Sequence, residues 1–191
     1  GVGTALLGRT VEEAERIGLK QMIGVITAES TASIRLHEKL GFRVKTEWKG
    51  QCRSDTTVES FTCAGTPIPR SFTIVCDEPR ELLGQDLAPN PQELLLSALN
   101  ACMIVGYVAQ AALRGIRLDD CRIETEGELD LRGFLGLDED IPPGYRRINY
   151  IVHLEGDGTP EQYQEIHQAV MASSPNYFNL AQPVQMCGRM A

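Results

Sequence analysis

The chain lacks most of the features that mark a metal or nucleic-acid protein. Its six cysteines stand at 52, 63, 76, 102, 121 and 187. No two have the short gap of a zinc knuckle or a redox CxxC pair, so no metal site is expected. Basic residues are scarce as well: 18 Lys and Arg against 26 Asp and Glu leave a net charge of -8. That balance excludes a nucleic-acid partner, whose phosphates need a basic surface. There is no internal repeat, no low-complexity tract, no signal-peptide pattern and no second long apolar run. Reduced thiols in a cytoplasmic protein are the expectation. Most would serve as small buried hydrophobes, and only special surroundings would make one reactive.

What is present is ordinary in bulk, with 42% hydrophobic and 23% charged residues over 191 positions. That length holds one medium domain, or a small domain with an appendage. The charge is uneven. Residues 1–47 carry seven Lys/Arg against six Asp/Glu, and the remainder carries eleven against twenty. This step predicts two segments, 1–47 and 48–191, although no Gly/Ser/Pro linker marks the join.

The first segment reads as helix, strand, helix. Residues 4–18 have helical spacing, Gln21–Thr27 reads as a short buried strand, and a helix from Thr31 to Leu40 stops at Gly41. A strand near Phe42–Trp48 follows. Val58–Thr62 and Ser71–Val75 read as strands about a turn at Gly65–Pro69. Asn90-Pro-Gln-Glu93 then combines an N-cap, a proline at N1 and a capping glutamate at N3. It opens a helix to about Arg114, closed by Gly115 and apolar on nearly every side. Ser97, Asn100 and Gln110 interrupt its apolar surface, so a helix buried by a sheet or a partner subunit is expected rather than a membrane span.

Arg122–Leu131 alternates, with Ile123, Thr125, Leu129 and Leu131 on one face, and Ile148–Leu154 repeats the pattern. Thr159-Pro-Glu-Gln162 is a second capping box, opening a helix that buries Tyr163, Ile166, Val170 and Met171. Pro175 should end that helix, and Val184–Cys187 reads as a last strand. His37, His153 and His167 have no evident partner and read as structural.

Gly1-Val-Gly3-Thr4 before a helix is a small anion site of free backbone N–H groups. With Gln21-Met-Ile-Gly-Val-Ile26 and Ala32-Ser-Ile-Arg-Leu-His-Glu-Lys-Leu-Gly-Phe42 it resembles the second half of a GNAT-fold N-acetyltransferase of the phosphinothricin type. The resemblance implies that Gly1 and Gly3 match the loop holding the pyrophosphate of acetyl-CoA. Ser30 stands where an Asn is usual. Acetyl-CoA is expected as a cofactor, and N-acetyl transfer as an activity, only if the native protein also has the half-fold that precedes this segment. Otherwise no cofactor is expected.

Three further blocks carry a second resemblance: Trp48-Lys-Gly-Gln-Cys-Arg53, Asp77-Glu-Pro79 with Pro89-Asn-Pro-Gln-Glu-Leu-Leu-Leu96, and Ala98-Leu-Asn-Ala-Cys102. In order and spacing they resemble the OsmC and organic hydroperoxide resistance family over 48–191. The resemblance implies an α+β fold, an antiparallel sheet with a long central helix, in an intertwined homodimer. It also implies thiol-dependent reduction of an organic hydroperoxide. The position matching Cys102 attacks the peroxide, and the one matching Arg53 activates the thiol and orients the substrate.

Two positions depart from the family pattern. The resolving cysteine falls at Ser174, and the glutamate that fixes the arginine falls at Gln92, with Glu93 one place later. Cys52 and Cys187 are the possible substitute resolving thiols. A single-cysteine peroxidase needing an external thiol reductant is the leading expectation. The alternative is an inactive dimer that binds a small apolar ligand.

Overall fold

In a computed structural model of the protein, the described residues are 40–63 and 65–190. They fall into two compact units, dividing between Leu95 and Leu96. The expected helices and strand before Leu40, together with Gly1, Gly3, Ser30 and His37, lie outside the described residues.

The first unit is a three-stranded antiparallel sheet in the order β1-β2-β3, made by β1 (Leu40–Gly50), β2 (Arg53–Cys63) and β3 (Thr66–Cys76). Leu40 and Gly41 open β1 rather than closing a helix, because the strand extends along β2 as far as the pair Leu40 and Cys63. The composition step at 47–48 falls inside this strand. The turn between β2 and β3 is tighter than the prolines suggest, for Pro67 and Pro69 both lie in β3. Among the described residues β3 is an edge strand, which tolerates them because one side of its backbone has no ladder to donate to.

After β3, the buried Asp77 organises the loop. Its carboxylate accepts from the backbone N–H groups of Glu78 (2.9 Å), Gln85 (3.1 Å) and Leu87 (3.2 Å). Burial pushes the Asp77 carboxyl up, but these donors, with help from the Arg53 charge, outweigh it and hold it below its usual value.

Helix α1 (Pro91–Leu113) starts as its capping box dictates. Glu93 N–H donates to Asn90 Oδ1 at 2.9 Å, and Asn90 N–H donates to Glu93 Oε2 at 2.8 Å. It ends where Gly115 takes a positive φ of 68°.

In the second unit, α1 packs with β4 (Leu118–Gly127), β5 (Ile148–Gly156) and α3 (Pro160–Ser173), and α2 (Leu131–Phe134) lies in the connection from β4 to β5. Leu99, Met103, Tyr107 and Ala111 form the buried stripe of α1, one residue per turn. They meet Ile116, Ile166 and Val170, with Cys121, Ile123, Tyr150 and Val152 packed around them. Helices α1 and α3 approach closely at Gly106, where a Cβ would stand 3.1 Å from Val170 Cγ1.

An apolar surface all round α1 therefore does not mean burial all round within the described residues: Leu95, Val105 and Leu113 are exposed. Strand β4 stops four residues before Leu131, and Leu131 enters α2. The Asp130 side chain draws the chain into a helical turn by accepting from Arg132 N–H at 2.9 Å. Residues 183–190 are irregular and pair with no strand among the described residues, so Val184–Cys187 is not a strand here. An extended segment needs a ladder partner to become one.

Candidate active site

Cys102 sits half-buried in the middle of α1, one place before the fully buried Met103. The chain returns to it 72 residues later. Capped by Thr159 in a complete capping box, α3 runs to Ser173. Ser174 is extended, with ψ at 118°, as the following proline requires. Pro175 does end α3, and it also opens a further helix, α4 (Pro175–Ala181).

Ser174 is thus the C-cap of one helix and the N-cap of the next. Its N–H donates to Val170 O at 2.8 Å, and its carbonyl accepts from Phe178 N–H at 3.0 Å. Its Oγ accepts from Tyr177 N–H and lies 3.4 Å from Cys102 Sγ, to which it donates. Ser174 is 4% exposed. Nearby, Asn176 Nδ2 donates to Ala98 O at 2.8 Å, tying α4 to α1 one turn before the cysteine.

Arg53, Gln92, Glu93 and Cys52 lie in the first unit. Arg53 spends its guanidinium on Asp55, two places along β2, with Nε to Oδ1 at 3.2 Å and Nη2 to Oδ2 at 3.5 Å. Glu93 has its carboxylate on the helix cap, and Gln92 beside it is half-buried. The Cys52 thiol is exposed and points to the carbonyls of Leu82 and Leu83, each at 3.6 Å, while Cys187 is exposed in the irregular tail.

Burial separates the remaining thiols. Cys121 is pushed up to about 11, first by burial and then by the neighbouring Asp120. Cys76 is raised by burial, with Glu78 and Asp77 adding to it. Both stay protonated and inert near neutral pH. No cluster of metal ligands occurs among the described residues.

His167 does have a partner: Tyr107 Oη lies 2.5 Å from its Nδ1. Burial raises Tyr107, so the phenol keeps its proton, and the imidazole tautomer sets which partner donates. Burial also lowers His167. His153 Nε2 lies 3.1 Å from Glu124 Oε1, with the histidine half-buried and the glutamate exposed. The sequence offers no direct sign of the Tyr107 contact, because the two residues are 60 apart on different helices. The cap at Ser174 could have been found, since Ser before Pro is also a helix-opening pair.

The profile of the OsmC-like protein family matches residues 84–186, more than half of the chain. The chain belongs to the OsmC-like family. Solved OsmC-like structures share the fold. One from Mycoplasma pneumoniae is 17% identical, with a TM-score of 0.56, covering 73% of this chain and 86% of its own. An OsmC-like protein of Vibrio cholerae is 12% identical, with a TM-score of 0.51, covering 71% and 90%. The antiparallel sheets and long helix expected of an α+β OsmC-like domain are therefore present.

An N-terminal stretch of 44 residues is 48% identical to an L-methionine sulfoximine/L-methionine sulfone acetyltransferase of Salmonella typhimurium. It covers 23% of this OsmC-like chain and 26% of that enzyme, so the chain spans about a quarter of the relative's length.

Proposed function

We propose that the chain is a one-cysteine hydroperoxide reductase of the OsmC-like family, acting through Cys102 in oxidative-stress defence. The observation that supports this most is the 3.4 Å contact between Cys102 Sγ and Ser174 Oγ. The position where the family resemblance implies a second cysteine lies against the first, and here it holds a hydroxyl, which forms no disulfide.

In this reading the Cys102 thiolate attacks the distal oxygen of an organic hydroperoxide. The S–O bond forms, the O–O bond breaks, and the alkoxide takes a proton and leaves as the alcohol. An external thiol then attacks the sulfenic sulfur, giving a mixed disulfide and water. A second external thiol releases Cys102 and departs as the oxidised disulfide. Arg53 and Gln92 stand where the family resemblance implies the peroxide-orienting arginine and its support, and Arg53 is paired with Asp55.

The protein works as a cytoplasmic homodimer in this proposal. Exposed Phe42, Val44 and Trp48 on β1, with Phe72 and Ile74 on β3, are more apolar surface than one small sheet ordinarily leaves to water. The acetyltransferase-like segment with Gly1 and Gly3 would bind acetyl-CoA only as part of a complete fold of that type.

A second reading has one observation in its favour. A cavity of about 260 Å³ opens beside Leu99, lined by Tyr145, Ile148, Tyr150, Tyr177 and Leu180. An inactive descendant would hold a small apolar ligand there. The test is peroxide consumption with excess external thiol, comparing the native protein with Cys102→Ser. Loss of turnover in the variant supports the peroxidase. Equal consumption by both proteins eliminates Cys102 as the reacting group.

A further inference from the structure

We propose that Ser174 is a positioning residue for the Cys102 thiolate: its hydroxyl proton is directed at Sγ, stabilising the anion and fixing where the sulfur points. The role deepens the peroxidase reading and depends on it only for its purpose, since the hydrogen bond can be measured without any peroxide.

The argument begins with the hydroxyl's few options. Ser174 Oγ has one proton and two lone pairs. One lone pair receives Tyr177 N–H, because Ser174 is the N-cap of α4. The backbone cannot swing away, since its N–H is bonded to Val170 O and its carbonyl accepts from Phe178 N–H. At 4% exposure, water cannot readily take the proton. The acceptor found for it is Cys102 Sγ at 3.4 Å, an ordinary oxygen–sulfur separation. A buried hydroxyl held by two helix ends and aimed at one sulfur is a fixed dipole, and a fixed donor favours the charged form of its acceptor.

The same hydroxyl cannot form a disulfide with a sulfenic acid, as a thiol there would. It therefore holds the reduced sulfur ready without closing the cycle internally. The consequence is a division of labour, in which activation stays within the chain and the second thiol arrives from solution.

The experiment is alkylation of the reduced protein by iodoacetamide across pH, following the Cys102 peptide by mass spectrometry. In Ser174→Ala, Cys102 should react about threefold more slowly at pH 7. The lost donor destabilises the anion, and this is partly offset by a more nucleophilic thiolate, for a Brønsted slope of about 0.4–0.5. Above the titration, with thiolate complete in both proteins, the variant should instead be about threefold faster. That crossover is not expected from mere loosening of the fold, which would speed alkylation at every pH.

Ser174→Cys gives an independent reading if the alanine variant does not fold. One equivalent of an organic hydroperoxide, or of a disulfide oxidant if peroxide does not react, should produce a bond between positions 102 and 174. An alanine variant whose rate profile overlays the native one, or a cysteine variant that forms no such bond with either oxidant, overturns the proposal. A native protein that ignores peroxide yet shows the crossover with iodoacetamide would sink the peroxidase reading and leave the hydrogen bond standing.

Discussion

Replacing Tyr107 by Phe removes one oxygen from the centre of the second unit and leaves the rest of the ring in place. Tyr107 is fully buried, its hydroxyl lies 2.5 Å from His167 Nδ1, and the two rings stack at 6.0 Å with 9° between their planes. The phenylalanine ring keeps the apolar contacts with the core, so the loss is the hydrogen bond together with an imidazole nitrogen left half-buried without its partner. Such a loss costs about 1.5 kcal/mol. A chain of this size melts roughly 2–4 °C lower per kcal/mol, which gives about 3–6 °C.

The assay is thermal unfolding followed by circular dichroism, at pH 7.5 and again at pH 5.5. Because burial holds folded His167 below its ordinary value, the unfolded state takes up the proton first as pH falls. Its stabilising contribution is complete above about pH 6.5 and declines below it. Native protein should therefore melt lower at pH 5.5, and His167→Gln should remove that share of the decline. A Tyr107→Phe melt within a degree of native, or a His167→Gln protein with an undiminished pH slope, would refute the account of this pair.

Two further substitutions test the local arguments. Thr159→Ala removes the side-chain half of the capping box that opens α3, Gln162 N–H to Thr159 Oγ1 at 3.3 Å, and leaves the backbone half, Thr159 N–H to Gln162 Oε1 at 2.8 Å. It should cost about 1 kcal/mol in a denaturant titration, and Thr159→Ser should recover most of it. Gly84→Ala would drive a Cβ into the carbonyl of Glu78, so the loop around Asp77 must shift. Hydrogen exchange at Gln85 and Leu87, whose amides donate to Asp77, should accelerate strongly while α3 keeps its protection.

The features legible in the sequence are those set by neighbours a few residues apart. Both capping boxes, the closing Gly115 and the alternation through Ile148–Leu154 stand where local chemistry puts them. The alternation from Arg122 continues to Leu131 in the sequence while the strand ends at Gly127, because apolar spacing does not reveal that Asp130 will cap a turn. A strand at Val184–Cys187 failed for a different reason, since propensity supplies no ladder partner.

At the site, Cys102 and Ser174 could be matched by family resemblance, but that they touch is tertiary information. Pro175 was legible as a stop and equally as a start. Only the fold shows that Ser174 serves both helices and the thiol between them. Tyr107 and His167 were illegible as a pair because nothing local links α1 to α3.

The two prolines of β3 set the direction in which its sheet can grow. Pro67 and Pro69 lie opposite Thr62 and Ser60, at the turn end of an edge strand. Neither can donate a hydrogen bond, so that half of the edge is a poor template for any incoming strand. The half from Ser71 to Cys76 keeps its full set of donors. Any chain that extends this sheet is therefore steered to one end of β3, away from the hairpin tip, and uncontrolled edge-to-edge polymerisation loses half of its register.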